Sequence, residues 1–194
     1  TDVGKENANL EIRSNIVNNS SEPKSVTVHG IIRNPNAFDA IPNVANPNFD
    51  VKAMCPGGDP IQTVSKEVVI AAGDSYLFKE SIVVTNLHLW NGKKDPYRYI
   101  VDLKIYEGDN LIDSVSDYVG FRYYSVTKEG FFLNGELYSL RGVGKHQDQY
   151  NKGYAVTHED MNEDFGIIYE MGANAIRLAH YPHDPYMYEL CDRY

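Results

Sequence analysis

The hydrophobic pattern changes its period once along the chain, near residue 121, and this change limits the folds that are available. From Leu10 to about Tyr124, apolar residues alternate with polar ones in short runs that turn residues interrupt. A period of two is typical of half-buried β-strands. About seven such runs predict that residues 1–124 form an antiparallel β-sandwich, which makes the chain mainly β.

Two turn sequences predict hairpins in this first part. Ala71-Ala72-Gly73-Asp74 separates the runs 64–70 and 76–84, and Glu107-Gly108-Asp109-Asn110 separates the next two runs. Short Gly- and Asp-containing links between alternating runs are typical of β-hairpins.

A proline-rich stretch from Asn34 to Pro60 interrupts the pattern. It holds five prolines and the pair Gly57-Gly58, and proline cannot donate to a sheet ladder. This predicts a long irregular loop, which is either functional or an ordered surface excursion. The two cysteines, Cys55 in this loop and Cys191 near the end, lie in unrelated contexts, so we expect two free thiols.

After Phe121 the pattern is that of alternating strands and helices. Asn134-Gly135 predicts a small hairpin, and residues 137–143 and 173–178 predict short buried strands. Residues 125–194 therefore begin a parallel α/β architecture.

Two helix starts follow these strands. Thr157 has an acid, Asp160, three residues on, which is typical of a helix N-cap. Asp184 precedes Pro185 as a cap precedes a first-turn proline. The order is strand, loop, helix, twice over, and thus predicts two βα units.

Two βα units are too few for a closed barrel of eight, which needs roughly 250 residues. Residues 125–194 are therefore predicted to be the first part of a truncated (β/α)8 barrel. Unpaired strand edges and apolar surface favour association. We expect either a homo-oligomer or loosely held last helices.

Charge and hydropathy exclude two classes of partner. The net charge is −9, and no run of Lys or Arg is present, so the chain lacks the basic face that nucleic acid requires. No apolar stretch approaches membrane length. The sequence therefore predicts neither a nucleic-acid nor a membrane partner, and it predicts no compartment.

Polar side chains follow both predicted barrel strands, with His146 and Asp148 after the first and Arg177 and His180 at the end of the second. Strand exits form the active face of such barrels, and these groups suit a hydroxyl-rich ligand. Plainer interpretations remain: structural histidines, an Arg177 paired with a barrel carboxylate, and an Asp148 that stabilises a turn. A metal site that includes His183 has no supporting spacing, so we predict no metal and no cofactor.

The motifs at these exits are also those of a known family. They are Phe132-Leu133-Asn134-Gly135, Leu140-Arg141-Gly142-Val143 with His146, and Gly172 to Pro182 with its Arg-Leu-Ala-His-Tyr-Pro run. The chain resembles glycoside hydrolase family 2, which includes β-galactosidases, β-glucuronidases and β-mannosidases. The resemblance is highly specific from Gly120 onward, and weaker but consistent upstream.

The resemblance implies a domain order and a set of site residues. It implies a jelly-roll domain upstream, an immunoglobulin-like sandwich over residues 1–124, and the start of the catalytic TIM barrel over 125–194. It also implies that His146, His180, Arg177 and Asp148 contact the substrate. Many members read Arg-Gly-Val-Asn-Arg-His-Glu in the first exit loop, where this chain has Gly144, Lys145 and Gln147.

The activity that the resemblance implies is that of a retaining exo-glycosidase acting on terminal β-glycosides, foremost β-galactosides. Its partners are the carbohydrate substrate and the rest of the parent enzyme. Both catalytic glutamates of the family come from later strands, so we expect this chain to hold no catalytic residue and to be inactive alone. The alternatives are a non-catalytic carbohydrate-binding module and a structural spacer.

Overall fold

The computed structural model of the chain describes residues 2–35 and 58–194. These residues form two units. The described part of the first comprises residues 2–35, 58–89 and 98–121, and that of the second comprises residues 90–97 and 122–194. The predicted boundary at residue 124 lies near the start of the long segment of the second unit.

The described residues of the first unit form seven antiparallel strands in two sheets. One sheet has the order β1-β2-β5 and the other β4-β3-β6-β7. This confirms the predicted sandwich. The strands are β1 (Asp2–Val3), β2 (Asn7–Val17), β3 (Lys24–Arg33), β4 (Pro60–Ile70), β5 (Ser75–Thr85), β6 (Tyr99–Glu107) and β7 (Asn110–Val119).

The core of this unit lies between the two sheets. A Cβ placed on Gly30 of β3 would come within 2.9 Å of Ile12 Cδ1 in β2 and 3.5 Å of Phe78 Cε1 in β5. At Gly30 the facing side chains therefore fill the space that a side chain on β3 would need. Alternate residues of both sheets are buried, as the period of two requires: Val26, Val28, Ile32, Phe78, Ile82 and Leu103.

The turn at Ala71–Asp74 is not a hairpin, and that prediction was wrong. β4 pairs with β3 and β5 pairs with β2, so the link between them crosses from one sheet to the other. The amide of buried Asn18, at the end of β2, holds this crossing by donating to the carbonyl oxygens of Ile70 (3.0 Å) and Ala71 (3.1 Å). The turn residues are those of a hairpin, but the partner of each strand is decided by distant segments.

The second predicted hairpin is confirmed. β6 and β7 pair up to Glu107 and Asn110, with Gly108 at φ 59° in the turn. Glycine takes this left-handed backbone conformation without a steric penalty.

The second unit contains a strand meander followed by two βα units. Its elements are a 3-10 turn (Gly92–Lys94), β8 (Tyr124–Thr127), β9 (Gly130–Leu133), β10 (Glu136–Leu137), β11 (Gly142–Lys145), α1 (His158–Glu170), β12 (Ala175–Leu178) and α2 (Pro185–Arg193). The predicted hairpin at Asn134-Gly135 joins β9 to β10, with both residues at positive φ.

Residues 90–97 belong to this second unit because two of their side chains contact its helices. The Trp90 indole N–H donates to the Asp192 carbonyl oxygen at 2.6 Å. Lys93 Nζ donates to the Tyr169 carbonyl oxygen, at the end of α1, at 2.7 Å. A cation beside the last carbonyls of a helix complements the helix dipole.

The first barrel strand is shorter than predicted and starts later. Residues 137–143 were expected to form it, but Leu137 pairs with Phe132 in the hairpin and β11 begins at Gly142. Between them the backbone is held by Asn174, whose side chain accepts from Arg141 N–H (2.7 Å) and donates to the Ser139 carbonyl oxygen (2.9 Å).

β11 and β12 pair in parallel, which confirms the predicted βα units. Ile176 and Leu178 of β12 pack against a buried cluster from α1 and α2 and the residue after α2: Met161, Phe165, Tyr186, Met187, Leu190 and Tyr194. Both predicted helix starts are also present. Thr157 and Asp160 form a reciprocal capping box, and the Asp184 side chain accepts from Tyr186 N–H.

The proline-rich loop lies mostly outside the described residues, since 36–57 are not described. Pro60 is the first residue of β4, an edge strand, which is where a sheet tolerates proline. Cys191 is a free thiol whose pKa burial raises to about 11, and Cys55 lies outside the described residues. Across 2–35 and 58–194, no helix has the length and apolar character needed to cross a membrane.

Candidate functional site

The pairing of β11 with β12 decides which side chains share a face at the strand exits. Gly144 lies opposite Arg177, and Lys145 lies opposite Leu178. Side chains alternate between the two faces of a strand. Because Leu178 packs on the helices, Lys145 shares the helix-covered face, whereas Arg177 and Gly144 lie on the opposite face.

Three of the four predicted site residues come together at this edge of the sheet. The ring centroids of His146 and His180 are 5.1 Å apart, with the rings 77° from parallel. Arg177 Nη2 lies 3.4 Å from His180 Nδ1. All three residues are exposed, so their polar atoms can reach a ligand.

Asp148, the fourth predicted residue, lies in the same exit loop, two positions beyond His146, and is exposed. No hydrogen bond or ion pair joins its carboxylate to His146, Arg177 or His180 within the described part of the chain. Its contact with substrate therefore stays a prediction, as does its alternative role in a turn.

Two of the three residues that depart from the family pattern, Lys145 and Gln147, have structural partners. Lys145 Nζ forms an ion pair with Asp164 of α1, and both side chains are largely buried. Gln147 Oε1 accepts from the backbone N–H of Asp184, the N-cap of α2, at 2.6 Å. Both residues therefore tie the first exit to the helices.

Sequence reasoning missed the role of Tyr181. Its ring is 6.1 Å from His146, 5.3 Å from His183 and 6.2 Å from Tyr154, measured between centroids. Its hydroxyl accepts from Gln147 N–H at 3.2 Å. Tyr181 thus positions the first exit loop against the second. Its place directly after His180 was the available signal.

His183, considered above as a metal ligand, is a buried structural residue. Its Nε2 lies 3.2 Å from the Ala179 carbonyl oxygen, and its ring stacks on Tyr181. Within residues 2–35 and 58–194, no three His, Cys, Asp or Glu side chains are arranged to hold a metal ion.

Two acidic residues of α1, Asp160 and Asp164, are paired with lysines. Asp160 accepts from Lys152 Nζ with both oxygens, at 2.6 and 2.9 Å, and from Thr157 N–H at 2.9 Å. These contacts lower the pKa of Asp160 below its ordinary value, and the hydrogen bond from Lys152 has the largest effect. Asp164 pairs with Lys145. The carboxylates of Asp160 and Asp164 are therefore held by lysines and not free to act on a glycosidic bond.

Comparison with known proteins decides the family. Residues 1–122 match glycosyl hydrolases family 2, and residues 124–194 match the TIM barrel domain of glycosyl hydrolases family 2. The chain belongs to glycosyl hydrolase family 2. The first match ends two residues before the predicted end of the sandwich at residue 124.

The curated relatives of the chain include enzymes of two different activities. A β-glucuronidase of Bacteroides fragilis is 40% identical over 131 residues, covering 67% of this chain and 19% of that protein. A β-galactosidase of Psychromonas ingrahamii is 37% identical over 117 residues, covering 60% of this chain and 11% of that protein. The chain thus spans at most about a fifth of the length of these relatives.

Solved family 2 structures share the fold of nearly the whole chain. A putative β-galactosidase from Bacteroides fragilis has a TM-score of 0.82 at 30% identity, over 99% of this chain and 26% of that one. A β-glucuronidase from Bacteroides uniformis has a TM-score of 0.82 at 33% identity, over 99% and 21%. The solved structures similar to this chain thus include both a putative β-galactosidase and a β-glucuronidase.

Proposed function

We propose that the chain forms part of the sugar pocket of a retaining exo-glycosidase that hydrolyses terminal β-glycosides, with β-galactosides as its main substrates. The observation that carries this proposal is the convergence of His146 and His180, 5.1 Å apart, at the exits of two adjacent parallel strands. In (β/α)8 enzymes, the residues at these exits bind the substrate.

The proposed roles follow from the hydrogen-bonding capacity of each side chain. Each neutral imidazole offers one donor and one acceptor to sugar hydroxyls. Arg177 supplies fixed donors beside His180, and Asp148 supplies two acceptor oxygens for neighbouring hydroxyls. The four residues together can hold a non-reducing-end sugar.

The charges at the strand exits favour a neutral sugar over a uronic acid. Asp148 would repel a second carboxylate, whereas it accepts readily from hydroxyls. Lys145 is paired with Asp164 on the helix-covered face. Lys152, in the first exit loop, is paired with Asp160. We assign Arg177, on the opposite face beside His180, to donating to the hydroxyls of the sugar.

A β-glucuronide is the second candidate substrate. It is favoured by the 40% identity to a β-glucuronidase. In that case Arg177 would pair with the carboxylate of the sugar, since a guanidinium matches a carboxylate with two parallel hydrogen bonds.

Cleavage of the glycosidic bond requires a pair of carboxyl groups that the described strand exits of this chain do not supply. Retaining glycosidases use two carboxyl groups about 5 Å apart across the scissile bond. The described carboxylates nearest in sequence to the exits, apart from Asp148, lie on α1 or cap α2. We propose that both catalytic glutamates come from later strands of a longer enzyme and that the chain alone is inactive.

The test is a panel of nitrophenyl glycosides, assayed with the chain alone and with the longer enzyme that the proposal implies. We expect no turnover by the chain. For the longer enzyme, kcat/KM should be largest with the β-galactoside and fall with Asp148→Asn. Asp109→Asn, an exposed substitution in the β6–β7 turn, is the matched control and should change nothing.

Two results would contradict the proposal. Turnover by the chain alone would place the catalytic carboxyl groups within it. A preference for the β-glucuronide, with Asp148→Asn raising kcat/KM, would replace the galactoside with the second candidate.

A further inference from the structure

Two tyrosines are displayed to solvent by the loop between β11 and α1. Tyr150 is 86% exposed and Tyr154 is 74% exposed. Tyrosine offers a large, flat contact surface with few rotatable bonds, which is why ligand-binding surfaces are rich in it. Neither ring contributes to the buried cluster of the second unit.

The loop that carries these rings is held in one arrangement by hydrogen bonds. Gln149 and Gly153 exchange two backbone hydrogen bonds, each 3.0 Å long. Asn151, inside this turn, and Gly153, at its end, both have a positive φ. Lys152 Nζ ties the turn to both carboxylate oxygens of Asp160. A ring fixed before binding loses little conformational entropy on binding.

Ring contacts link Tyr154 to the sugar-pocket histidines. Its ring lies 6.2 Å from that of Tyr181 and at 85° to it, and Tyr181 lies 6.1 Å from His146. The Tyr181 hydroxyl is held by Gln147 N–H. Tyr154 is thus supported by a fixed neighbour yet stays largely exposed. The ring contacts therefore run from His180 to His146, then to Tyr181, and last to Tyr154.

We propose that Tyr154 is a stacking platform for the leaving group of the glycoside, an inference that rests on the proposed function. His146 and His180 hold the terminal sugar, and Tyr154 contacts the next unit of the ligand. That unit is a group with a flat apolar face, either a second sugar ring or an aromatic ring. Tyr150 is not part of the platform, because no ring contact joins it to the site within the described residues.

Ligand-observed NMR with the chain tests this inference. The ligands are methyl β-galactopyranoside, which has a minimal leaving group, 4-nitrophenyl β-galactopyranoside and lactose. Tyr154→Ala removes the stacking contact and should therefore weaken binding of a ligand that uses the platform roughly two- to thirteenfold. The affinity for the methyl galactoside should not change.

The ligands and control variants make the outcome specific. Tyr154→Phe keeps the ring and should bind as the unchanged chain does, and Tyr150→Ala controls for loss of an exposed ring from the same loop. A loss with nitrophenyl galactoside alone assigns an aromatic leaving group, and a loss that includes lactose assigns a sugar. Either one supports the platform.

Equal losses for all three ligands, no loss, or the same loss with Tyr150→Ala would overturn the platform while leaving the sugar pocket intact. Failure of the unchanged chain to bind any of the three ligands would overturn the sugar pocket and the platform together.

Discussion

The sheets of the two units are covered differently, and the difference separates stability from binding. In the first unit each sheet faces the other, and buried residues such as Val28 and Phe78 lie between them. Among the described residues of the second unit, helices cover one face of the β11–β12 pair and not the other. The opposite face carries Arg177 and small residues. A sheet with one uncovered face can offer side chains to a ligand.

The largest expected effect is on the core of the sandwich. Phe78→Ala removes a fully buried ring and should lower the free energy of unfolding of the first unit by about 3–5 kcal/mol. Leu77→Ala, at the adjacent and exposed position, should change it by less than about 0.5 kcal/mol. Urea unfolding measures both. Equal losses of unfolding free energy in the two variants would contradict the assignment of one face of β5 to the core and the other to solvent.

Arg177 and Leu178 are neighbours on opposite faces of β12. We expect substitution of Leu178 to lower stability and substitution of Arg177 to weaken ligand binding. Leu178→Ala should lower the free energy of unfolding of the second unit by about 2 kcal/mol. Arg177→Ala should leave unfolding nearly unchanged and weaken galactoside binding about tenfold or more, because hydrogen bonds to charged groups contribute about 1.5–3 kcal/mol. Urea unfolding and ligand-observed NMR separate the two. Strong destabilisation by Arg177→Ala would make Arg177 a structural residue.

His183 and His146, whose rings both contact that of Tyr181, allow a second comparison between a residue that stabilises the fold and one that binds ligand. His183→Ala leaves the Ala179 carbonyl without its buried partner and should cost about 1–3 kcal/mol of folding stability. His146→Ala, at an exposed position, should reduce galactoside binding and leave the unfolding curve in place. The interpretation of His146 as a sugar-binding residue fails if its loss changes stability alone.

The smallest expected effect is a pH dependence of the second unit. Because the pKa of Asp160 is lowered in the fold, chiefly by Lys152, its contribution is fully present above the ordinary value of 3.8. This contribution is lost as the pH falls through the folded pKa. Lys152→Met should therefore reduce the loss of stability that occurs as the pH falls from about 5 to below the ordinary value of 3.8. Lys66→Met, an exposed substitution in β4, is the control. An unchanged pH profile in Lys152→Met would exclude this ion pair as a cause.

Local chemistry made several features predictable from sequence. The Asn134-Gly135 turn and the Thr157–Asp160 capping box depend on residues within a few positions of each other. The link at Ala71–Asp74 was misassigned because the partners of its flanking strands, β3 and β2, lie elsewhere in the chain. The role of Tyr181 was missed for the same reason, because its contacts are with aromatic rings and a backbone N–H that come from two different loops.

The site residues were predicted from their positions at two neighbouring strand exits and from their motifs, but the distances between them were not predicted. The sequence placed His146 and His180 at two strand exits but gave no distance between them. It also could not assign Lys145, since its partner Asp164 lies on a helix 19 residues later. Parallel register supplies this information: it sets Lys145 beside Leu178 and Gly144 beside Arg177.

The most direct test of the account is an NMR titration of isotope-labelled chain with methyl β-galactopyranoside. We predict saturable shifts at His146, His180 and Arg177, with the sandwich strands unaffected. Saturable shifts confined to residues 2–35, 58–89 and 98–121 would contradict the account and make the chain a carbohydrate-binding module through its sandwich.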